Sequence, residues 1–411
     1  MANTNLTASI IAAEALKILE NATVFGNLVY RGYEEEFDKK INGYTVGSTI
    51  NVRRPADFTI RTGRTTSVQD VVEGQFPLVV NTQVGVDFNF TSQELTQNIT
   101  TLSERVIRPA MVQIANKIDG DVAALFSGVY NWLGTTSAVK TFATFSDWSA
   151  AAQRLDLTAA PQDQRYGVMD PANYWGIGNA APSLFMQDVA KDMYRRGVLG
   201  DLAGIDTYKS QNVQSFTRGT AATATLTSLF STTYAATLNS NTMSIALNFA
   251  TTQSIAAGDV FSIGNVAAVN PVTKTTLNYN QNFVVVSAAG GTGTVTVTIT
   301  PPIITTGAFQ TVSAAPTASS VVTFQGTASG AYPQNLAFHR NAFALVMVPM
   351  VMPPGAIDVS RQTYKGYSVR VIPFYSGSND IATWRLDVLY GVKCLDPRIA
   401  VRVNAGGANA S

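Results

Sequence analysis

Between Gly219 and Tyr332 lie 114 residues that carry only two charges, Asp259 and Lys274, whereas the other 297 residues carry 53. No other feature limits the fold so strongly. The tract holds 24 threonines together with Gly, Pro and short alternating runs such as "TGTVTVTIT" and "NFVVVSA". Alternation in β-branched residues is the pattern of strands, so the tract reads as an all-β module. Many Thr and few charges suit strands whose outer face is polar yet uncharged. Its length is within the range where one core stabilises a domain alone. Both ends fall in polar, Gly- and Ala-containing segments, "SFTRGTAATA" and "TASGAYPQN". The expectation is an independently folding β domain inserted into a chain of different composition.

The chain as a whole is sparing with charge. Charged residues make up 13% of the 411, against about 25% in ordinary soluble domains, while 46% are hydrophobic. A surface so poor in charge often ends up against other subunits. The net charge of +1 supplies no global field for nucleic acid or an acidic membrane. Cys394 is the one cysteine, which excludes an internal disulfide and suits a reducing cytosol. The opening "MANTNLTASIIAAEALKILEN" has no basic n-region and is interrupted by Glu14, Lys17 and Glu20, unlike a signal peptide. No uninterrupted apolar run is long enough to suggest a membrane span. A cytoplasmic site of synthesis is expected.

Outside the charge-poor tract the pattern changes several times. Leu6, Ile10, Ala13 and Leu16 predict a short amphipathic helix over 5–20, followed by "RGYEEEFDKK", read as a solvated helical face with an intersubunit charge pair as the alternative. From Gly47 the period becomes two. "STINVRRPADFTIRTG" and "QVGVDFNF" alternate, the second with Val84, Val86, Phe88 and Phe90 on one face. The simplest drawing is a long antiparallel hairpin. Arg53, Arg54, Arg61 and Arg64 lie on its outgoing arm, and Asp70 and Glu73 on its return. A two-stranded ribbon is marginal in water, so this one needs a surface to lie on. Next, Ile107, Met111, Ile114, Ile118, Val122 and Leu125 form one stripe along a long helix, with Pro109 either starting or kinking it. The segment 145–218 looks mixed α/β, and the C-terminal end of the chain is mostly alternating strands.

Candidate chemistry is sparse. A catalytic triad or zinc site needs a histidine with partners. The chain has one histidine, His339, in the alternating strand "NLAFHRNAFALVMVPM", and its one cysteine, Cys394, is far away in sequence. Lys393 could lower the pKa of Cys394, but no second histidine exists to act as its base. "GIGNAA" (176–181) matches a dinucleotide fingerprint without the preceding strand that fold requires. "GGTG" (290–293) leads into a strand and is read as a hairpin turn. Asp380, Asp387 and Asp396 could pair, although nothing fixes their spacing. No catalytic residue, cofactor site or metal site is assigned. The four arginines are the functional lead, as hairpin charges that either face solvent or bridge to the acids of a neighbouring subunit.

The order of parts is more informative than any motif. "AFHRNAFAL" and "RLDVLYGVK", with "GYSVRVIPFYSGSND" between them, make the C-terminal region resemble the coat-protein family of phage P twenty-two. The resemblance implies an α+β fold: an HK ninety-seven-type capsid fold with an inserted all-β domain. It implies an N-terminal arm (1–45), an extended loop (46–98) and a peripheral domain with a spine helix (99–145). An axial domain (146–218) would be interrupted by the insertion (219–332) and resume with the peripheral strands (333–411). "PFYSGSND" departs from the family, where an acidic residue is expected straight after the tyrosine. The implied function is a major capsid protein, assembling as hexamers and pentamers around double-stranded DNA in a virion made in the bacterial cytoplasm. Implied partners are further copies of itself, a scaffolding protein, a portal and DNA bound without sequence specificity, with no membrane and no enzymatic activity. On this reading His339 and Arg340 position strands where the chain leaves the insertion. The alternatives are an encapsulin-type shell, which shares the fold, and a β-rich adhesin, which leaves the long helix unexplained.

Overall fold

The structure is a computed structural model. It describes residues 8–34, 40–41, 44–45, 47–53, 57–66, 68–69, 71, 74–91, 103–134, 145–180, 197, 199–221, 223–226, 242–317, 319–353 and 359–404. The chain divides into two compact units. One comprises Met1–Ile50, Pro77–Val122 and Phe343–Lys393; the other comprises Asn51–Phe76, Ala123–Ala342 and Cys394–Ser411.

The first unit is built on a five-stranded sheet. Its order is Phe343–Met347, Ile381–Cys394, Tyr367–Ser376 and Ser360–Tyr364, with Thr82–Thr91 also pairing with Ile381–Cys394. Along Thr82–Thr91 Val84, Val86, Phe88 and Phe90 share the half-buried face, as the alternation predicts. The partner differs from the expected one. Thr91 pairs with Ile381 and Thr82 with Tyr390, so this run joins the C-terminal strands and not the 49–64 arm. Four large apolar side chains on one face need a sheet and a core beneath them, which a lone ribbon cannot supply. Thr49–Arg53 pairs instead with Gln75–Val79 in a separate two-stranded sheet.

Two helices belong to this unit. Ala8–Ala22 buries Ala8, Ile11, Ala12, Ala15, Leu16 and Leu19. Its buried stripe is rotated from the expected one: Leu16 is buried, but Ile10 and Ala13 are exposed. Small alanines beside Ile11 and Leu19 let the backbone approach the sheet, which the Ile10 face could not match; Leu6 lies outside the described residues. The long helix Arg108–Ala123 follows a π-turn, Ser103–Ile107, and ends in a 3-10 turn, Ala124–Gly128. Pro109 is its second residue, directly after that π-turn, so the proline marks the change from the wide turn to the regular helix. Ile107, Met111, Ile114, Ile118 and Val122 are buried, and Leu125 is only half-buried because the 3-10 turn brings Phe126 inward.

Asp119 lies beside that stripe and is fully buried. Its carboxylate accepts hydrogen bonds from Val24 N (2.7 Å) and Gly26 N (3.0 Å), so it satisfies the open backbone at the turn Phe25–Leu28. Near it the Tyr367 hydroxyl sits 2.8 Å from the Thr23 hydroxyl and donates to Asn27 Oδ1 at 2.9 Å. These polar groups fix the segment after the first helix.

The second unit holds a mixed sheet and a barrel. The sheet runs Trp132–Leu133, Ala400–Asn404, Ala331–His339, Arg165–Met169, Ile205–Lys209 and Asp201–Leu202, with Ser215–Thr217 also pairing with Ala331–His339. The helix Phe145–Leu157 packs Trp148, Ala151, Ala152 and Leu155 into one core with Ala337, Val401 and Val403. Gly167 is required on the strand Arg165–Met169, because a Cβ there would run into the Trp148 ring. "GIGNAA" falls largely within the helix Pro171–Ala180, so its glycines lie inside a helix and not at a strand-to-helix turn.

The barrel is closed, in the order Thr223–Leu226, Met243–Ile255, Ala289–Thr300, Thr276–Val285, Val260–Val269 and Val321–Phe324. Closure leaves no open edge, which matters for strands with few charges to deter aggregation. The abundance of threonine is explained by its place on the outside. Val295, Val297 and Ile299 point into the core while Thr294 and Thr296 are exposed. Phe261, Phe283 and Phe324 fill the interior. "GGTG" is not a hairpin turn. Gly290 and Gly291 pair with Ser254 and Gln253 next to a register shift, and glycines suit such an irregularity.

Burial pushes the Asp119 carboxyl up to about 6, outweighing the amides of Val24, Gly26 and Phe25 that favour the charged form. The folded state therefore holds this proton more tightly than the unfolded chain does. The group's stabilising contribution is complete below the ordinary value of 3.8 and is lost as pH rises through about 6. Asp119→Asn should flatten the pH dependence of denaturant stability between those values by about 3 kcal/mol, and an unchanged profile would refute the assignment. The barrel yields a separate expectation. The fragment 219–332 expressed alone should unfold cooperatively with β-type circular dichroism, and Phe261→Ala should cost it about 3–5 kcal/mol.

Candidate functional site

The segment between Thr49–Arg53 and Gln75–Val79 carries the charges singled out in the sequence. Arg53, Arg61 and Arg64 are exposed on it. Arg54, Asp70 and Glu73 lie outside the described residues. Arg61 bends back on its own loop, its Nη1 donating to the carbonyls of Gly63 and Thr65 (3.1 Å for the latter). Gln69 ties the two arms together. Its Oε1 accepts from Thr59 N (2.9 Å) and Thr59 Oγ1 (2.8 Å), and its Nε2 donates to Thr59 O (2.6 Å). One side chain thus satisfies both backbone groups of Thr59, as a paired strand would.

At the loop base Arg398 bridges two carboxylates, Asp57 at 3.1 Å and Asp396 at 2.8 Å. The Asp396 charge holds the guanidinium firmly protonated against the opposing effect of burial. An arginine shared between two carboxylates in a largely buried position is a strong anchor. Nearby, a cavity of about 90 Å³ is lined by Asp57, Arg398, Lys274, Tyr279 and Gln281.

Beyond this anchor the loop is apolar. Phe58 is 55% exposed, Ile60 92%, Val68 87% and Val71 67%. Four large hydrophobic residues open to water within one short loop mark a surface made for contact. Sequence reasoning weighs the arginines and misses these residues and Gln69. The available signal was that Phe58 and Ile60 alternate with polar neighbours in a stretch with no core to face.

The other sequence candidates are separated. His339 ends the strand Ala331–His339 and is buried. Its Nδ1 accepts from Asn341 N (3.2 Å), and its Nε2 lies 3.7 Å from Asp163 Oδ1. Burial, aided by Arg165, lowers its pKa against the attraction of Asp163, so the ring is neutral at pH 7. Cys394 is half-buried at the end of Ile381–Cys394. The three aspartates go to different partners. Asp387 holds Arg370 (2.6 Å) and Arg385 (3.0 Å), Asp396 holds Arg398, and Asp380 accepts from the Tyr375 hydroxyl at 2.7 Å. That last contact supports the departing "PFYSGSND" turn with an acid placed further along. Among the described residues, no group of three or more His, Cys, Asp or Glu side chains could hold a metal ion, and no helix is long and apolar enough to cross a membrane.

The model of one protein family, described as "P22 coat protein - gene protein 5", matches residues 1–404. No curated protein matches the sequence. Among solved structures, a chain of Mycobacterium phage Che8 aligns with a TM-score of 0.50 at 14% identity, covering 92% of this chain and 90% of that one. The capsid of Cyanophage P-SCSP1u aligns at 0.48 and 10% identity, covering 94% and 89%. The holo-SrpI encapsulin complex from Synechococcus elongatus PCC 7942 aligns at 0.36 and 8% identity, covering 89% and 84%. With so few residues identical, the likeness to the Che8 chain is one of fold.

His339→Gln tests the role read from the geometry. A histidine whose folded pKa lies below 6.5 loses stability for the fold as pH falls below that value. The wild type should therefore lose more stability than His339→Gln between neutral and mildly acidic pH. Equal losses in denaturant titrations would show that His339 does not titrate in this setting.

Proposed function

The chain belongs to the P22 coat protein family and is a major capsid protein, a phage structural component that assembles from many copies, and from that premise we propose how its parts serve the shell. The copies close as hexamers and pentamers of an icosahedral shell around double-stranded DNA. The subunit is made in the bacterial host cytoplasm, is not an enzyme, and meets a scaffolding protein and a portal during assembly. Its parts are the arm 1–45, the extended loop 46–98, the peripheral domain 99–145, the axial domain 146–218 resuming at 333–411, and the insertion 219–332.

The observation that carries this reading is the loop. It is anchored at its base by Arg398 and displays Phe58, Ile60, Val68 and Val71 to solvent. Laid over a neighbouring subunit, those side chains leave water, and Arg53, Arg54, Arg61 and Arg64 meet acids there, Asp70 and Glu73 of neighbouring loops among them. Each contact is weak, but a shell repeats it many times under closed symmetry, and the gain compounds. The net charge of +1 is compatible with enclosing DNA, since small cations neutralise the phosphates and no sequence has to be read.

Changing Arg53, Arg54, Arg61 and Arg64 together to Glu should leave a folded, soluble subunit that does not close shells. A buried interfacial charge pair broken from one side costs about 3–5 kcal/mol, more than a weak repeated contact can absorb. Negative-stain microscopy and sedimentation decide the matter. Shells at wild-type yield and salt tolerance would remove the arginines from the interface.

A further inference from the structure

One small cavity lies where the barrel meets the mixed sheet within the second unit. Its volume is about 10 Å³, room for a single water molecule or an ion of similar size. Arg218, Asp259, Arg402 and Asn404 line it, together with Trp132 and Gly258. Arg402, on the strand Ala400–Asn404, is 1% exposed. Its Nη2 donates to Gly258 O at 2.9 Å, but its Nε and Nη1 have no partner. Arg218 gives its two terminal nitrogens to the carbonyls of Gly326 and Ala221, and its Nε also has none. Three guanidinium nitrogens are thus left open on two side chains that line one small space.

The charges do not balance either. Among the described residues Asp259 is the one carboxylate acting on both arginines. Its Oδ2 accepts from the amides of Gly219 (3.2 Å) and Ala256 (2.8 Å), and its Oδ1 from Gly219 (3.3 Å). Two buried cations face one buried anion, which leaves one positive charge without a carboxylate, supported only by the rings of Phe126 (5.5 Å from Arg402) and Phe324 (5.6 Å from Arg218). Burying an unpaired charge is costly, and burial pushes Arg402 down to about 9. A water molecule would accept from the open N–H groups but would leave the charge. A small anion does both.

We propose that this cavity is a binding site for one small monovalent anion of the halide class, chloride under ordinary conditions, held by Arg402 and Arg218 and closing the junction between barrel and sheet. Asn404 completes the site. Its Oδ1 has no partner, and turning the amide over presents its NH₂ to the ion. The ion lies against Gly258 in the turn after Met243–Ile255 and against the strand carrying Arg402, so its binding joins the insertion to the sheet.

The test uses the full-length protein. Thermal unfolding is followed as chloride or bromide replaces gluconate at constant ionic strength. A saturable rise in Tm of roughly 2–4 °C is expected for both halides. Asn404→Asp places a carboxylate in the cavity in place of the ion. It should melt higher than the wild type in gluconate and lose the halide response. A wild-type Tm that does not depend on halide would overturn the site and leave the cavity to water. So would a halide response of full size in Asn404→Asp. Should that variant fail to fold, the wild-type titration alone decides the question.

Discussion

The second unit depends on one strand, Ala331–His339. It pairs with Ala400–Asn404 on one side and with Arg165–Met169 on the other, so Leu336 lies between Arg402 and Val168. Segments from distant parts of the chain meet across it, and bringing them together costs loop-closure entropy that grows with the span. The barrel does not add to that cost in proportion to its length. Thr217 pairs with Ala331, so the chain leaves for the barrel and returns from it at neighbouring points on the same sheet. A domain whose ends lie side by side can be inserted without moving the strands that flank it. What remains is the need for a firm junction, and the two charges of the charge-poor tract serve contacts at its margins.

Asp259 sits at the junction among Arg218, Arg402 and the Gly219 amide. Lys274 donates to Ala308 O and feels the charges of Asp57 and Arg398 at the loop base. Neither residue serves solubility, the usual task of charge on a domain surface. Buried ionic groups rarely add net stability, but breaking one side of such a cluster is expensive, so they penalise misdocked arrangements more than they reward the correct one. Threonine covers the exterior instead. Its hydroxyl keeps the outer face wet while its branched Cβ favours the strand.

Much of this was legible in the sequence where one periodicity met one environment. The 82–91 alternation and the 107–122 stripe gave the right faces because each needs only a core on one side. Partner choice was not legible. Nothing in "QVGVDFNF" says that its mate is "RLDVLYGVK" and not the nearer arm, because pairing is decided by which apolar faces share a core. The first helix shows a finer limit. Alanines carry little hydrophobic signal, so a stripe through Ala8, Ala12 and Ala15 is outweighed on the page by Ile10, which is exposed. In the loop, charge draws attention to four arginines, while Gln69 closes the arms and Phe58, Ile60, Val68 and Val71 form the surface. A side chain that satisfies backbone on the opposite arm leaves no periodic trace.

On the proposed reading the arginines and the apolar residues of the loop answer opposed demands. A free subunit with Ile60 and Val68 almost fully in water is at risk of indiscriminate association. Charges placed beside an apolar stretch act as gatekeepers, because a wrong partner must desolvate them without return. Arg53, Arg61 and Arg64 stand in that position and are exposed in the single chain. The neighbour that supplies acids in the right places removes this penalty and gains the apolar burial as well. Other surfaces gain the burial only by stranding the charges. The loop arginines can therefore keep the subunit apart before assembly and select its partner during it, which is why reversing their sign tests specificity more directly than deleting the apolar residues would.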